Sequence, residues 1–328
     1  MDKERFYKDL NINLDLALEA HDVVRGTRGG EIPGVSLSEE SFDNCTVKVV
    51  KVLDSKGSGI IGKPIGDYIT IESESLRINN KALHADLSKV LSEQLKTIYP
   101  FKTEDDSVLI VGLGNWNATP DALGPQVVEK TMATRHLHGR VPEELTNGLR
   151  PVSVIAPGVL GITGIETAEI IKGIVEKTSP KALIVIDALA AGSVSRIGST
   201  IQISNTGINP GSGVGNKRAS INQDFMGVPV IAIGVPTVVN SSIIAKDIID
   251  NFVDELKERP PLKELSKELN PPMLRIILDK VLNPYTNSLM VTPKEVDDLI
   301  RNTSQVIALA LTDSLHPAMP EEVANYLQ

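Results

Sequence analysis

Two aspartates stand where apolar runs give out. Val108-Leu109-Ile110-Val111 leads through Gly112-Leu113-Gly114-Asn115 to Thr119-Pro120-Asp121-Ala122-Leu123-Gly124-Pro125, and Leu183-Ile184-Val185-Ile186 leads into Asp187-Ala188-Leu189-Ala190. In open α/β sheets ligands gather outside the carboxyl ends of parallel strands, so carboxylates leaving two such ends can converge on one pocket. Carboxylates that share a pocket titrate as a coupled pair, one keeping a proton while the other activates water. Asp121 and Asp187 are therefore the candidate catalytic pair. Asp121 has a plainer second reading as the cap of the helix that Leu123 begins, where its charge meets the helix dipole. Asp187 is harder to dismiss, because a carboxylate in apolar surroundings is costly unless it has a partner.

Other chemistries fail on spacing. Gly112-x-Gly114-x-x-Asn117 lacks the third glycine of a dinucleotide fingerprint. Gly211-Ser212-Gly213-Val214-Gly215-Asn216-Lys217-Arg218 has Asn where a phosphate-binding loop needs its second glycine, and Arg where it needs Ser or Thr. Two readings of that loop stay open: a turn whose glycines permit positive φ, or a nest of amides with Lys217 and Arg218 that holds an anion or a peptide carboxylate. The second supports an alternative function, a phosphorylase-like or anion-binding scaffold whose aspartates merely cap helices. His136 and His138 read as a basic helix end rather than a chelate. With no HExxH, GxSxG or CxxC pattern, no metal site and no cofactor is expected.

Composition narrows the setting. Lys and Arg total 33 against 42 Asp and Glu, a formal charge of −9, which argues against general affinity for nucleic acid. The single cysteine, Cys45, has no partner for an internal disulfide and fits a reducing compartment. No run of about 18 apolar residues and no signal-like N-terminus is present, so a soluble cytoplasmic protein without a membrane partner is expected. Aromatic residues make up only 3% of the chain, leaving a core of Ile, Val, Leu and Ala, the composition of a sheet covered on both faces.

The elements that must position the aspartates follow from periodicity. Residues 1–44 read as a polar, turn-rich arm. Thr46–Leu53 and Tyr68–Ser73 read as an antiparallel pair split by the Gly57-Ser58-Gly59 loop, and Leu83, Leu87, Val90, Leu91 and Leu95 predict a helix ending before Pro100. From Ser107 strands and helices alternate. Strands are predicted at 108–113, 152–156, 182–186, 201–204 and 228–233, with helices at 123–135, 166–177 and 242–257. A last helix is predicted from Pro293 to Leu311, with Thr292 as its cap. Together they predict an α/β fold with a doubly wound, mostly parallel sheet and an N-terminal β-containing arm. The expected divisions are 16–100 packed on a catalytic core of 101–258, a Pro-rich insertion at 259–284, and a segment at 285–328 completing the same domain.

Longer motifs add a resemblance. Gly112-Leu-Gly-Asn with Thr119-Pro-Asp-Ala-Leu-Gly-Pro, Thr134-Arg-His-Leu, Arg150-Pro-Val-Ser, Pro157-Gly-Val-Leu-Gly-Ile-Thr-Gly-Ile-Glu-Thr, Ile186-Asp-Ala-Leu-Ala-Ala, Pro210-Gly-Ser-Gly-Val-Gly-Asn-Lys-Arg and Met290-Val-Thr-Pro-Lys-Glu-Val-Asp resemble the germination protease (spore protease) family of endospore-forming bacteria. The resemblance covers nearly the whole chain. It implies an atypical aspartic-type endopeptidase of the forespore and spore core, related in fold to hydrogenase-maturation endopeptidases. Its substrates would be the small acid-soluble proteins that coat spore DNA. The family makes a self-processing zymogen and assembles as a homotetramer, and its two implicated aspartates fall on Asp121 and Asp187.

Amides at Gly114, Asn115 or Gly158 are then candidates for holding the oxyanion. The resemblance also implies cleavage after an acidic residue and before an apolar one, with Ala and then Glu soon after. Asp15-Leu16-Ala17-Leu18-Glu19 has that order. The expected scissile bond therefore lies between Asp15 and Leu16, residues 1–15 are the expected propeptide, and the chain retaining Met1 is the expected precursor. Alternation of Leu14, Leu16 and Leu18 in a strand is the plainer reading of the same residues. A basic pocket including Lys217 and Arg218 would read the acidic side chains.

Overall fold

Apolar residues along the central strands alternate between two cores, as the period of two in a β-strand requires. Val108 and Ile110 join one buried cluster while Leu109 and Val111 join another, and Ile184 and Ile186 divide from Leu183 and Val185 in the same way. The computed structural model describes residues 7, 12–142, 146–211, 219–259, 276, 280–283, 285 and 288–316. Among these, the strands are β1 (Val35–Phe42), β2 (Cys45–Val52), β3 (Gly66–Glu72), β4 (Val108–Gly112), β5 (Val152–Ile155), β6 (Ala182–Ala191), β7 (Thr200–Ser204), β8 (Val230–Asn240) and β9 (Met290–Val291). They form one sheet in the order β1-β2-β3-β7-β8-β6-β4-β5, with β9 on β8.

The fold is α/β, as expected. Its parallel part is β5-β4-β6-β8, and β7, β3, β2 and β1 extend it antiparallel. The chain leaves β4 for β5 on one side and returns to β6 on the other, so the strand order reverses between β4 and β6. That reversal is where open α/β sheets leave a crevice.

Principal helices are α1 (Ala17–Arg28), α2 (Ser55–Ile61), α3 (Lys81–Ile98), α4 (Leu123–Lys130), α5 (Thr167–Thr178), α6 (Ser241–Glu258) and α7 (Val296–Leu315). Leu87, Leu91 and Leu95 of α3, Leu123 and Val127 of α4, and Ile300, Ile307 and Leu311 of α7 cover one face of the sheet. Ile171 and Val175 of α5 cover the other. Leu18 and Val24 of α1 pack with Val50, Val52 and Tyr68 on β2 and β3. No helix among the described residues is long and apolar enough to cross a membrane.

Several boundaries differ from the sequence reading for local physical reasons. Residues 17–42, read as arm, form α1 and β1, and β1 closes a hairpin in which Phe42 faces Cys45. Gly57-Ser58-Gly59, read as loop, lies within α2, because the Asp54 carboxylate accepts the Gly57 amide at 2.8 Å and Ile61 is buried. Helix α4 stops at Lys130 rather than Arg135, because the amides of Thr134 and Arg135 turn to the Val152 carbonyl at 2.9 and 3.0 Å. Thr292 does not cap α7; its hydroxyl donates to the Thr237 carbonyl at 2.8 Å, tying the strand before the helix to β8. Most of 259–284 and all of 317–328 lie outside the described residues.

Candidate active site

Strand β4 pairs with β6 only as far as Gly112 opposite Ile186, with one further bond from the Leu113 amide to the Ile186 carbonyl at 2.8 Å. Asp187 is the next residue. It does not follow β6 but lies inside it, since β6 keeps β8 as a partner through Ala191. The aspartate thus sits just past the end of β4, in the crevice, with only 6% of its surface exposed. Its Oδ1 accepts the Ala188 amide at 3.0 Å.

Asp121 reaches the same crevice through a tight turn. A one-turn helix at Thr119–Asp121 follows Gly114, and the Asn115 amide donates to the Asp121 carbonyl at 3.1 Å. Gly114 has φ +119°, and a Cβ there would overlap that same carbonyl oxygen. A Cβ on Gly112 would likewise overlap the Gly124 carbonyl, so β4 and the first turn of α4 meet backbone to backbone. Helix α4 takes Ala122 as its N-terminal cap residue with no side-chain cap bond, and Asp121 stands one position before it.

Asp121 and Asp187 line one cleft of about 450 Å³, together with Asp15, Lys63, Tyr68, Gln202, Asn209 and Thr237. A volume of that order suits a ligand or an extended peptide segment. Gly114, Asn115 and Gly158 are not among the cleft residues. The backbone amide of Asn115 is already spent on the Asp121 carbonyl, which removes it as an oxyanion donor, and the side-chain oxygen accepts the Asn117 amide at 2.9 Å. Gly158, at φ +79°, accepts the Thr167 hydroxyl at 3.2 Å on its own carbonyl, in the loop that leads to α5. Lys217 and Arg218 lie outside the described residues, while Gly211 and Ser220 on either side of that loop line the cleft. His136 and His138 line a separate groove with Arg135 and Arg140. No three His, Cys, Asp or Glu among the described residues are grouped so as to hold a metal ion.

What sequence reasoning missed is how the N-terminal segment enters the cleft. Because β6 outruns β4, the amides of Ala188 and Ala190 on its edge and of Gly192 just after it have no strand to pair with, and carboxylates take their place. Asp187 takes the first, the Asp15 Oδ2 accepts the Ala190 amide at 3.0 Å, and both oxygens of Glu19 accept the Gly192 amide at 2.9 Å. Lys63 donates to the Leu14 and Asp15 carbonyls at 2.7 and 2.8 Å, and the Ala17 amide donates to Gln202 Oε1 at 2.7 Å. Leu14 to Leu16 are neither strand nor helix, and Leu18 lies in α1, so the alternating strand is not formed. The sequence held one weak signal of this, the Gly62-Lys63-Pro64 turn between two strands.

Burial pushes the Glu19 carboxyl up to about 7, with Asp15 adding to the rise and Arg196, the Gly192 amide and Lys63 opposing it. A folded pKa above the unfolded value means this group's stabilising contribution is complete below about pH 4.5 and is lost as pH climbs through about 7. Thermal unfolding of the chain is therefore expected to shift to lower temperature between pH 5 and pH 8. Glu19→Gln should flatten that slope, and an unchanged slope in the variant would remove Glu19 as its source.

A family model described as germination protease matches residues 15–277 and 265–327. The chain is 47% identical to the germination protease of Caldanaerobacter subterraneus subsp. tengcongensis, over 97% of this chain and 98% of that protein. It is 46% identical to that of Clostridium tetani, over 97% and 100%. Among solved structures, a [NiFe] hydrogenase maturation protease, HycI from Thermococcus kodakarensis, aligns at 15% identity and a TM-score of 0.34, covering 67% of this chain and 99% of that one.

Proposed function

The chain belongs to the germination protease family of endopeptidases, and on that premise we propose that it hydrolyses small acid-soluble spore proteins with Asp121 and Asp187 as an aspartic-type pair, after release from a self-processing precursor. One observation carries the reading. Two aspartates from opposite sides of the β4/β6 reversal line the same cleft as Asp15, the residue before the expected processing bond. In this scheme one carboxyl keeps the shared proton and the other draws a proton from water as it attacks the peptide carbonyl. Neither aspartate carries a fixed acid or base label, because the protons belong to the pair.

The segment before α1 supports the precursor reading. Leu16 is extended, with φ −79° and ψ 130°, and is wholly buried, while helix begins at Ala17. Residues 12–16 thus enter as a non-helical peptide, the form proteases bind, and the following residues are locked in a helix. A segment so placed keeps other substrates out of the cleft until residues 1–15 are removed, which accounts for a silent precursor. Assembly as a homotetramer and action in the spore core complete the proposal. The anion-binding alternative rests on 211–218, of which 212–218 lie outside the described residues.

Two measurements test the reading together. N-terminal sequencing of the activated enzyme is expected to give a new terminus at Leu16, and mass spectrometry of digested small acid-soluble spore protein is expected to give cuts after acidic residues. An active enzyme that still begins at Met1 would sink the precursor assignment.

A further inference from the structure

Lys63 and the outlying edge of β6 answer a question that the aspartate pair leaves open: what holds the substrate's carbonyl and its acidic side chain while water attacks. The Gly62-Lys63-Pro64 turn lies between α2 and β3, in the antiparallel part of the sheet, far in sequence from either aspartate. It nonetheless lines the same cleft. The Lys63 ammonium is 2.8 Å from the carbonyl oxygen of Asp15 and 2.7 Å from that of Leu14. If the bond cut is Asp15–Leu16, the first of these oxygens is the one that becomes the oxyanion. The Asp15 carboxylate meanwhile rests on the Ala190 amide, three residues beyond Asp187 on the same strand.

We infer that Lys63 is a catalytic residue, the oxyanion-stabilising cation, and that the Ala190 amide on the free edge of β6 is the subsite for the acidic side chain before the cut, in precursor and in substrate alike. This rests on the assignment of Asp15–Leu16 as the processing bond. The step balances without any further group. Water adds its oxygen to the carbonyl carbon and gives one proton to the ionised carboxylate of the pair, and the carbonyl electron pair moves to the oxygen facing Lys63. Collapse re-forms the carbonyl and breaks the carbon–nitrogen bond, and the departing amine takes a proton from the pair. Lys63 keeps its protons throughout and acts by charge and hydrogen bond.

Two features fit this role. Burial draws the Lys63 ammonium below the ordinary lysine value, while the neighbouring Asp15 and Glu19 oppose that fall and favour its charged form, and charge–charge attraction is stronger in such a site than in water. Donation to two successive carbonyls also fixes the peptide's register, which places the carbonyl carbon in one position relative to the pair. Neither the Asn115 amide nor Gly158 offers this, the first being engaged elsewhere and the second lying away from the cleft.

The test uses the full chain, with small acid-soluble spore protein as substrate and appearance of a Leu16 terminus as the second readout. Lys63→Met is expected to lower kcat by roughly 10²-fold or more, the effect of removing one oxyanion donor, with KM little changed. Lys63→Arg keeps the charge and is expected to recover a substantial part of the lost rate, which a purely packing role would not do. Melting curves of both variants establish that they are folded. A folded Lys63→Met with kcat near that of the parent overturns the inference, as does a rise in KM alone or an Arg variant as slow as the Met variant. Failure of the parent chain to cut at Asp15–Leu16 would instead overturn the processing assignment on which the inference stands.

Discussion

Replacing Asp187 by Asn is expected to abolish cleavage of small acid-soluble spore protein, by about 10⁴-fold in kcat, the upper range for removing a general acid–base group. Asp121→Asn should do the same. The amide keeps the shape of the carboxyl and the Ala188 amide keeps an oxygen acceptor at Asp187, so melting temperature and assembly should change little. What the amide cannot do is hold or release the proton that the pair passes to the departing amine. Because the two groups act as a unit, the double variant is expected to be about as slow as either single one rather than slower by their product. Steady-state kinetics on the three variants, with the accumulation of the Leu16 terminus followed in parallel, checks this. Near-parental activity in either single variant would end the assignment of the pair.

Gly114→Ala is the second large effect expected, and it reaches the chemistry through the backbone. At φ +119° an alanine is strained, and its Cβ would overlap the Asp121 carbonyl that the Asn115 amide holds. The turn must open to admit the methyl group, and opening it moves Asp121 relative to Asp187. A displacement of about 1 Å in a reacting group costs on the order of 10²-fold in rate. Stability should fall as well, by roughly 1–3 kcal/mol as for other overpacked sites, without loss of the fold. Activity is thus expected to fall far more than the melting temperature. The result that contradicts this is a variant destabilised but fully active, which would mean that the turn does not position Asp121. Gly161→Ala, where a Cβ meets nothing within 4 Å, is the matched control.

The sequence made the starts of β4 to β8 legible because each strand carries buried Val, Ile or Leu close to turn residues. β4, β5 and β7 fall within one or two residues of their expected bounds. β6 and β8 ran five and seven residues past theirs, since two long strands that pair with one another stay extended where local composition suggests an end. The N-terminal region misled for a related reason. Gly29, Gly30 and Gly34 lie between α1 and β1 and Gly26 in the last turn of α1, and the burial of Leu18 and Val24 against β2 and β3 depends on partners distant in sequence.

The candidate site divides along the same line. Asp121 and Asp187 could be named from residue type and position alone, because a carboxylate after an apolar run is costly without a purpose, and strand ends in an α/β sheet share one crevice. Asp15 and Leu16 followed from the order of side chains in a family's cleavage pattern. That Asp15 meets the pair in one cleft was not in the sequence. It depends on β6 passing the end of β4, which exposes the amides of Ala190 and Gly192 to the carboxylates of Asp15 and Glu19. Lys63 and Gln202 were invisible for the same reason: each contacts a segment 48 or 185 residues away, and neither residue type nor local spacing encodes a bond of that reach. Local sequence determined which groups can do the chemistry, while the register of β6 against its unequal neighbours decided what they face.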